Sequence, residues 1–212
     1  HHLTLKVLKN EELIGGATPD RSARGIMLSL EGTDATYATG DHISIRPCTS
    51  SELIDRFCSA LEPTIDRTWA ITAHEVRKDG NKKDVRLPFP ERTTVEEAVG
   101  FYLSLRLDQG AILPILHAFN KKAVAMNNES AIEEFNTLLA QGEEDHTADV
   151  ELHKFVELPA LLEAYARTYG LKLSFADLLL LLPPQKDRFY SIDTSVLTHP
   201  RKLGITVALT LG

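Results

Sequence analysis

Apolar positions change their spacing twice along the chain. From residue 3 to 88 they alternate with a period near two, from 90 to 182 they recur every three or four residues, and from 188 to 212 the alternation returns. Strand side chains point to opposite faces in turn, whereas helical ones return to one face about every 3.6 residues. The outer stretches therefore predict half-buried strands and the middle one amphipathic helices. In the first stretch Leu3 to Leu8, Gly25 to Leu30 and His42 to Arg46 read as strands, the second ending at the turn Glu31-Gly32-Thr33-Asp34 and the third closed by Pro47. Thr49 and Glu52 have capping-box spacing ahead of a short helix with Leu53, Phe57 and Leu61 on one face. Trp69 to Val76 resumes the strand pattern, Asp79-Gly80-Asn81 marks a turn, and Asp84 to Leu87 is the returning strand.

In the middle stretch, Thr93 with Glu96 precedes a helix carrying Val95, Val99, Tyr102, Leu103 and Leu107. Ser130 with Glu133 precedes another, with Ile132, Phe135, Leu138 and Leu139 on its apolar side. Pro159 suits the first turn of a helix that runs to about Thr168 and stops at Gly170. Ser174 caps a last helix ending at Pro183-Pro184. The third stretch holds Phe189 to Ile192, a turn at His199-Pro200, and Leu203 to Leu209 as a strand. Strands, then helices, then strands imply a β-domain interrupted by a helical insertion, its two β-parts packing together.

Composition narrows the class. At 212 residues, 43% hydrophobic and 25% charged, the chain is an ordinary globular one of one or two domains. A net charge of -7 disfavours binding to nucleic acid, while leaving room for a local basic pocket that takes a small anionic cofactor. Cys48 and Cys58 have no metal-ligand spacing and read as free thiols of a reduced compartment. The longest unbroken apolar run, Leu178 to Pro184, falls far short of the ~20 residues a bilayer needs, so no membrane segment is expected in this chain. No signal-peptide pattern opens it either, which makes the cytoplasm the expected location. His1-His2 is the kind of pair a purification tag leaves. The chain has no Gly-x-Gly-x-x-Gly and no P-loop, and His42, His74, His117, His146, His153 and His199 show no i,i+4 pairing for zinc.

Three segments carry a resemblance. The first is Asp20-Arg21-Ser22, followed by a strand and then Tyr37-Ala38-Thr39-Gly40-Asp41-His42. The second is Leu87-Pro88-Phe89-Pro90 leading into Thr93-Thr94. The third is Arg188-Phe189-Tyr190-Ser191-Ile192, preceded by Leu181-Leu182-Pro183 and followed by the His-Pro turn and a strand. In this order, with a helical block between them, they resemble the FAD-binding region of the NADPH-dependent diflavin reductases. That family includes cytochrome reductase, the sulfite reductase flavoprotein, methionine synthase reductase and the reductase half of nitric oxide synthase.

The resemblance implies an α+β fold. A flattened antiparallel Greek-key β-barrel of the ferredoxin-reductase-like kind, residues 3–88 with 185–212, would bind FAD, and an all-helical connecting domain, residues 89–184, would be inserted in it. It implies an oxidoreductase part that passes electrons from NADPH through FAD to FMN and a redox acceptor protein. Its partners would be the FMN-binding and NADPH-binding domains of a parent that can be membrane anchored.

For the cofactor, a guanidinium matches phosphate geometry, so Arg188 is expected on the FAD pyrophosphate. Tyr190 offers a ring face along the flavin or ribityl chain, and Ser191 a hydroxyl near the reactive edge. Arg188 and Tyr190 share a strand face and Ser191 points away, so a bend or backbone groups are needed for all three to serve one ligand. By the resemblance, backbone groups of Thr206, Val207 and Ala208 also meet the flavin, and Arg21 meets the NADPH phosphates. The competing readings are plain ones: Arg188 in a surface ion pair with Asp187, Tyr190 in the core, residues 206–208 as an ordinary strand. Gly40-Asp41-His42 reads as a barrel turn in which glycine supplies a positive φ.

Three departures from the family stand out. The family continues with a glycine-containing loop at a helix start, a nucleotide-binding domain and a flavin-covering aromatic, all expected past Gly212, so the chain alone is expected to be inactive. Asp193 places a carboxylate where the family has a small neutral residue, and Val156 to Tyr165 lacks a basic residue. These favour the alternative of a flavin-free binding or scaffold module that retains the fold.

Overall fold

A computed structural model of the chain describes residues 3–14, 21–72, 74–76, 82–84, 87–144 and 157–210. Its strands are β1 (Val7–Glu12), β2 (Arg21–Ser29), β3 (His42–Ile45), β4 (His74–Val76), β5 (Lys82–Asp84), β6 (Arg188–Ser191) and β7 (Lys202–Thr210). Its helices are α1 (Ser51–Ala60), α2 (Val95–Glu97), α3 (Gln109–Ala125), α4 (Glu129–Glu144), α5 (Leu158–Tyr169) and α6 (Phe175–Leu179), with a π-helical turn at Ala98–Tyr102. The fold is mixed α and β with antiparallel sheets. Among the described residues the sheets have the orders β1-β2-β7, β3-β6 and β4-β5, and none closes into a barrel. The chain divides into two compact units, residues 1–46 with 187–212 and residues 47–186.

In the first unit β2 pairs with β7 along its whole length, from Arg21↔Thr210 to Ser29↔Lys202. The opening strand begins later than its alternation suggests. Pairing with β2 runs over Val7 to Glu12 with a register shift between Val7 and Lys9, and every residue of β1 is exposed. At a sheet edge, backbone pairing rather than an apolar face decides where the strand lies. The core here is small: Leu28, Leu30, Tyr37, Leu203 and Ile205 are buried, with Ile43, Ile45, Tyr190, Ile192 and Val207 half-buried around them. The Tyr37 hydroxyl donates to the Lys202 carbonyl at 3.0 Å and lies 3.1 Å from Thr194 Oγ1. Arg201 donates to the carbonyls of Leu30 and Thr33. The β6–β7 connection is thereby tied to the β2–β3 connection.

In the second unit helix caps fall close to the expected sites, but shifted. Ser50 rather than Thr49 caps α1, accepting from the Leu53 N–H at 3.3 Å, because the Thr49 N–H is committed to the Gly100 carbonyl. Thr94 and Glu97 form the next capping box instead of Thr93 and Glu96. Thr93 is buried with its hydroxyl donated to Pro90, and Glu96 pairs with Arg67. The helix expected to run to Leu107 ends after the π-helical turn. Leu103, Leu105 and Leu107 are then buried at every second position, and the bridges Leu103↔Pro184 and Arg106↔Glu157 hold the segment extended.

Helix α3 was disguised by Gly110 and Pro114, since proline inside a helix clashes with the carbonyl four residues earlier. It forms because Ile112, Ile115, Leu116, Phe119 and Ala123 bury one face. Asn128, not Ser130, accepts from the Ala131 N–H at the start of α4. Helix α5 starts with Pro159 in its first turn and stops at Gly170, which takes the left-handed φ of 67° as expected. Ser174 caps α6 as expected, but that helix ends at Leu179, short of the prolines. At the centre Phe119, Phe135 and Tyr165 pack with ring centroids 4.9 to 5.8 Å apart. The turn at 79–81 lies outside the described residues, and the returning strand is β5, earlier than Asp84 to Leu87.

Candidate functional site

Strand β6 carries the Arg-x-Tyr-Ser segment, and β3 sets its register: His42↔Ser191, Ile43↔Tyr190, Ser44↔Phe189 and Ile45↔Arg188. Alternation puts Arg188 and Tyr190 on the face of Ile45 and Ile43, toward the small core. Phe189 and Ser191 lie on the other face with Ser44 and His42. Tyr190 is half-buried against that core, while Ser191 is exposed and Phe189 is 72% exposed. The turn that leads into β3 is built as expected, with Gly40 at φ 94° and the Asp41 carboxylate accepting from the Ala38 N–H at 2.7 Å.

Arg188 is exposed, turned to solvent rather than enclosed, and its guanidinium makes no hydrogen bond or ion pair among the described residues. Asp187 does not pair with it. That carboxylate accepts from Arg46 Nε at 2.8 Å and from the Ser44 hydroxyl at 3.1 Å, both on the β3 side. The alternation that puts 187 and 188 on opposite faces explains the choice.

Strand β7 pairs with β2 on one side. On the other it meets the β6 segment through the bridge Ile192↔Ile205, next to which the Asp193 N–H donates to the Gly204 carbonyl at 2.9 Å. The Gly204 carbonyl therefore points toward β6. Peptide groups alternate along a strand, so Thr206 and Ala208 turn their backbone groups the same way, and those of Val207 go to β2. Beyond the bridge no strand pairs with that edge among the described residues. Of the three β7 residues expected to offer backbone groups, Thr206 and Ala208 face this side, the Thr206 N–H belonging to the bridge itself, and Val207 instead adds a half-buried side chain on the face of Ile205. Arg21 opens β2 opposite Thr210, and its side chain lies outside the described residues.

Asp193, the carboxylate that departs from the family, accepts from the Thr206 hydroxyl at 2.9 Å. Thr194 Oγ1 accepts from the Gly204 N–H at 2.9 Å. Both side chains close over Gly204, where a Cβ would lie 2.7 Å from Thr194 Cγ2. Neither this network nor the Arg46–Asp187 pair is visible in local spacing, since each joins residues ten or more positions apart.

The sequence profile described as "FAD binding domain" matches residues 1–211. The chain belongs to the FAD binding domain family. Inducible nitric oxide synthase of Bos taurus is 26% identical over 99% of this chain and 17% of its own length. NADPH–cytochrome P450 reductase of Emericella nidulans is 24% identical over 96% and 27%, and NADPH-dependent diflavin oxidoreductase 1 of Danio rerio 25% identical over 89% and 30%. The chain thus spans less than a third of the length of these curated relatives. The last two are named as an NADPH-linked reductase and an NADPH-dependent diflavin oxidoreductase, the family that the three segments resemble.

The residues present fit the cofactor that gives this FAD binding domain its family name. A guanidinium without a partner among the described residues, a half-buried tyrosine ring and a strand edge that no described strand pairs beyond the bridge are the group types that a pyrophosphate, a flat ring and its polar rim require. No described helix is long and apolar enough to cross a membrane, and no group of three described His, Cys, Asp or Glu residues is placed to hold a metal.

Proposed function

We propose that this chain holds FAD as part of an NADPH-dependent diflavin oxidoreductase, which passes electrons from NADPH through FAD to an FMN-binding domain and on to an acceptor protein. The observation that carries the reading is the exposed Arg188, without a hydrogen-bond or ion-pair partner among the described residues, on the strand that bridges to β7, in a chain of the FAD binding domain family. When bound, FAD supplies the hydride and electron chemistry, and the protein supplies position and charge. Arg188 takes the pyrophosphate, Tyr190 covers a flat face of the flavin or ribityl chain, and Ser191 offers a hydroxyl from the opposite face of β6. The backbone of Thr206 and Ala208 meets the polar rim of the flavin, Val207 packs behind it, and Arg21 contacts the NADPH phosphates. The NADPH-binding and FMN-binding domains of the parent are the partners.

The finer architecture belongs to the same proposal. The order β1-β2-β7, joined through the Ile192↔Ile205 bridge to β6 and β3, supports a flattened Greek-key barrel of the ferredoxin-reductase-like kind. The motif positions support an FAD-binding domain of residues 3–88 with 185–212 and an inserted helical connecting domain of residues 89–184. Packing groups residues 47–88 with the helical unit.

Titration of the purified chain with FAD, followed by the visible flavin bands and by flavin fluorescence, tests the reading. Losing hydrogen bonds from a charged group costs about 1.5–3 kcal/mol, so Arg188→Gln is expected to weaken FAD about 10- to 150-fold. An unchanged Kd would remove Arg188 from the site. One observation favours the second reading, a flavin-free scaffold: the Asp193 carboxylate sits on the exposed side of the bridge, near where a phosphorylated ligand would pass. A wild-type chain that ignores added FAD is the result that reading requires.

A further inference from the structure

Ser191, Asp193 and Thr206 bring their polar groups together on the exposed face where β6 joins β7. Continuing the Ile192↔Ile205 bridge by one step each way puts Ser191 opposite Thr206 and Asp193 opposite Gly204. Ile192 and Ile205 pack into the small core, so these neighbours turn to the other face. The Asp193 carboxylate crosses the diagonal to accept from the Thr206 hydroxyl at 2.9 Å, and Gly204 has no side chain to push it away. No cation pairs with that carboxylate among the described residues. Farther along, Ala208 and, opposite it on β2, Ala23 floor the same face with methyl groups that leave room for a flat ring.

The FAD reading assigns both neighbours of this carboxylate to the flavin, Ser191 to its reactive edge and the Thr206 backbone to its polar rim. Two strand steps cover about 7 Å and a hydrogen bond about 3 Å, so a ring edge on Ser191 lies within about 10 Å of Asp193. Reduction by two electrons and one proton adds one negative charge to the ring, and charge beside the ring is one means by which a protein sets its electronics. Two like charges about 10 Å apart shift an equilibrium about 2-fold in water and about 16-fold at the effective dielectric of a protein surface.

We infer that Asp193 sets the electron affinity of the bound cofactor: its carboxylate, fixed by Thr206 beside Ser191, favours oxidised over reduced FAD and so makes the reduced form a stronger electron donor. The inference rests on the FAD reading above, and it gives a task to a residue that departs from the family. A carboxylate that lay only beside the pyrophosphate would repel both redox forms equally, because the phosphates carry the same charge in each.

The test compares the Kd of oxidised FAD with that of dithionite-reduced FAD, measured without oxygen on the full chain and its variants, with melting temperature recorded for each. Asp193→Asn removes the charge and keeps an oxygen for the Thr206 hydroxyl. It is expected to raise the ratio of the oxidised to the reduced Kd about fivefold, equivalent to a rise of about 20 mV in the two-electron potential. Asp193→Glu keeps the charge and is expected to hold the ratio within about twofold of wild type. A change below about twofold in Asp193→Asn, or a change just as large in Asp193→Glu, overturns the inference. An equal tightening of both redox forms also overturns it, since the carboxylate then acts on the phosphates. If Asp193→Asn does not fold, Asp193→Ser carries the same expectation and the same refutation. A wild-type chain that binds neither form overturns the FAD reading and this inference together, whereas FAD binding with an unchanged ratio in the neutral variant overturns only the inference.

Discussion

Replacing Gly204 by alanine should destabilise the strand-rich unit by about 2 kcal/mol. The new methyl group would lie 2.7 Å from Thr194 Cγ2 and would be driven into the Asp193 carboxylate, both inside van der Waals contact. Neither neighbour yields easily. Thr194 is β-branched, with its hydroxyl accepting from the Gly204 N–H at 2.9 Å, and Asp193 accepts from Thr206. Overpacking a tight site costs about 1–3 kcal/mol, and losing one exposed hydrogen bond about 1 kcal/mol. Against that, alanine lowers the entropy of the unfolded chain by about 0.4–1 kcal/mol, leaving a net of about 2 kcal/mol. Urea denaturation followed by far-ultraviolet circular dichroism measures it. Asp193→Ala in the same chain should recover part of the loss, since one of the two clashing groups is then absent. A change below about 0.5 kcal/mol in Gly204→Ala would show that the Asp193–Thr194 segment does not close over Gly204, and the account of the β6–β7 bridge would fail with it.

Other outcomes follow from the helical unit. Phe135→Ala empties the centre of the aromatic cluster, where Phe135 is fully buried against Phe119 and Tyr165, and should cost about 3–5 kcal/mol in chemical denaturation. The Glu96 and Glu163 carboxyls are held below their ordinary value of 4.5, first by hydrogen bonds from Arg67 and Arg56 respectively. Groups with a depressed folded pKa lend stability that is present above the unfolded value and lost as pH falls through the folded one. Stability should therefore decline below about pH 4.5, and Arg67→Met should flatten that decline in melting curves taken across the acid range. Tyr169 donates its hydroxyl to Glu134, which holds its pKa up at about 12. Because this pKa is raised, its contribution is complete below the unfolded value near 10 and lost as pH rises toward 12. Tyr169→Phe should remove one late tyrosine step, the one near pH 12, from an ultraviolet absorbance titration of the folded chain.

The residues themselves announced the family. Arg188-Phe189-Tyr190-Ser191, the Tyr37-to-His42 turn and the strand–helix–strand change of period are local features, and local features survive in a linear reading. Helix stops and starts with a dedicated residue, such as Gly170 and Ser174, were legible for the same reason. Where two candidates stood side by side, as Thr93 and Thr94 or Thr49 and Ser50, other partners made the choice: the Thr93 hydroxyl is taken by the Pro90 carbonyl in its own turn, and the Thr49 backbone by the distant Gly100. Leu103 to Leu107 fits a helix or a strand equally by composition, and only the bridges to Pro184 and Glu157 made it extended.

The candidate site divides along the same line. Its residue types were set by the sequence, but which of them are available was settled by pairing across strands. Asp187, on the face opposite Arg188, is taken by Arg46, far away in the chain, and Arg188 has no such partner among the described residues. Ala208 faces an edge that no strand pairs among the described residues, because there β6 and β7 meet at the Ile192–Ile205 bridge, whose flanking bond takes the Thr206 N–H. Short-range propensities specify what each segment is able to form, whereas the partner of a charge or of a strand edge depends on which distant segment reaches it first. That is a property of the folded chain.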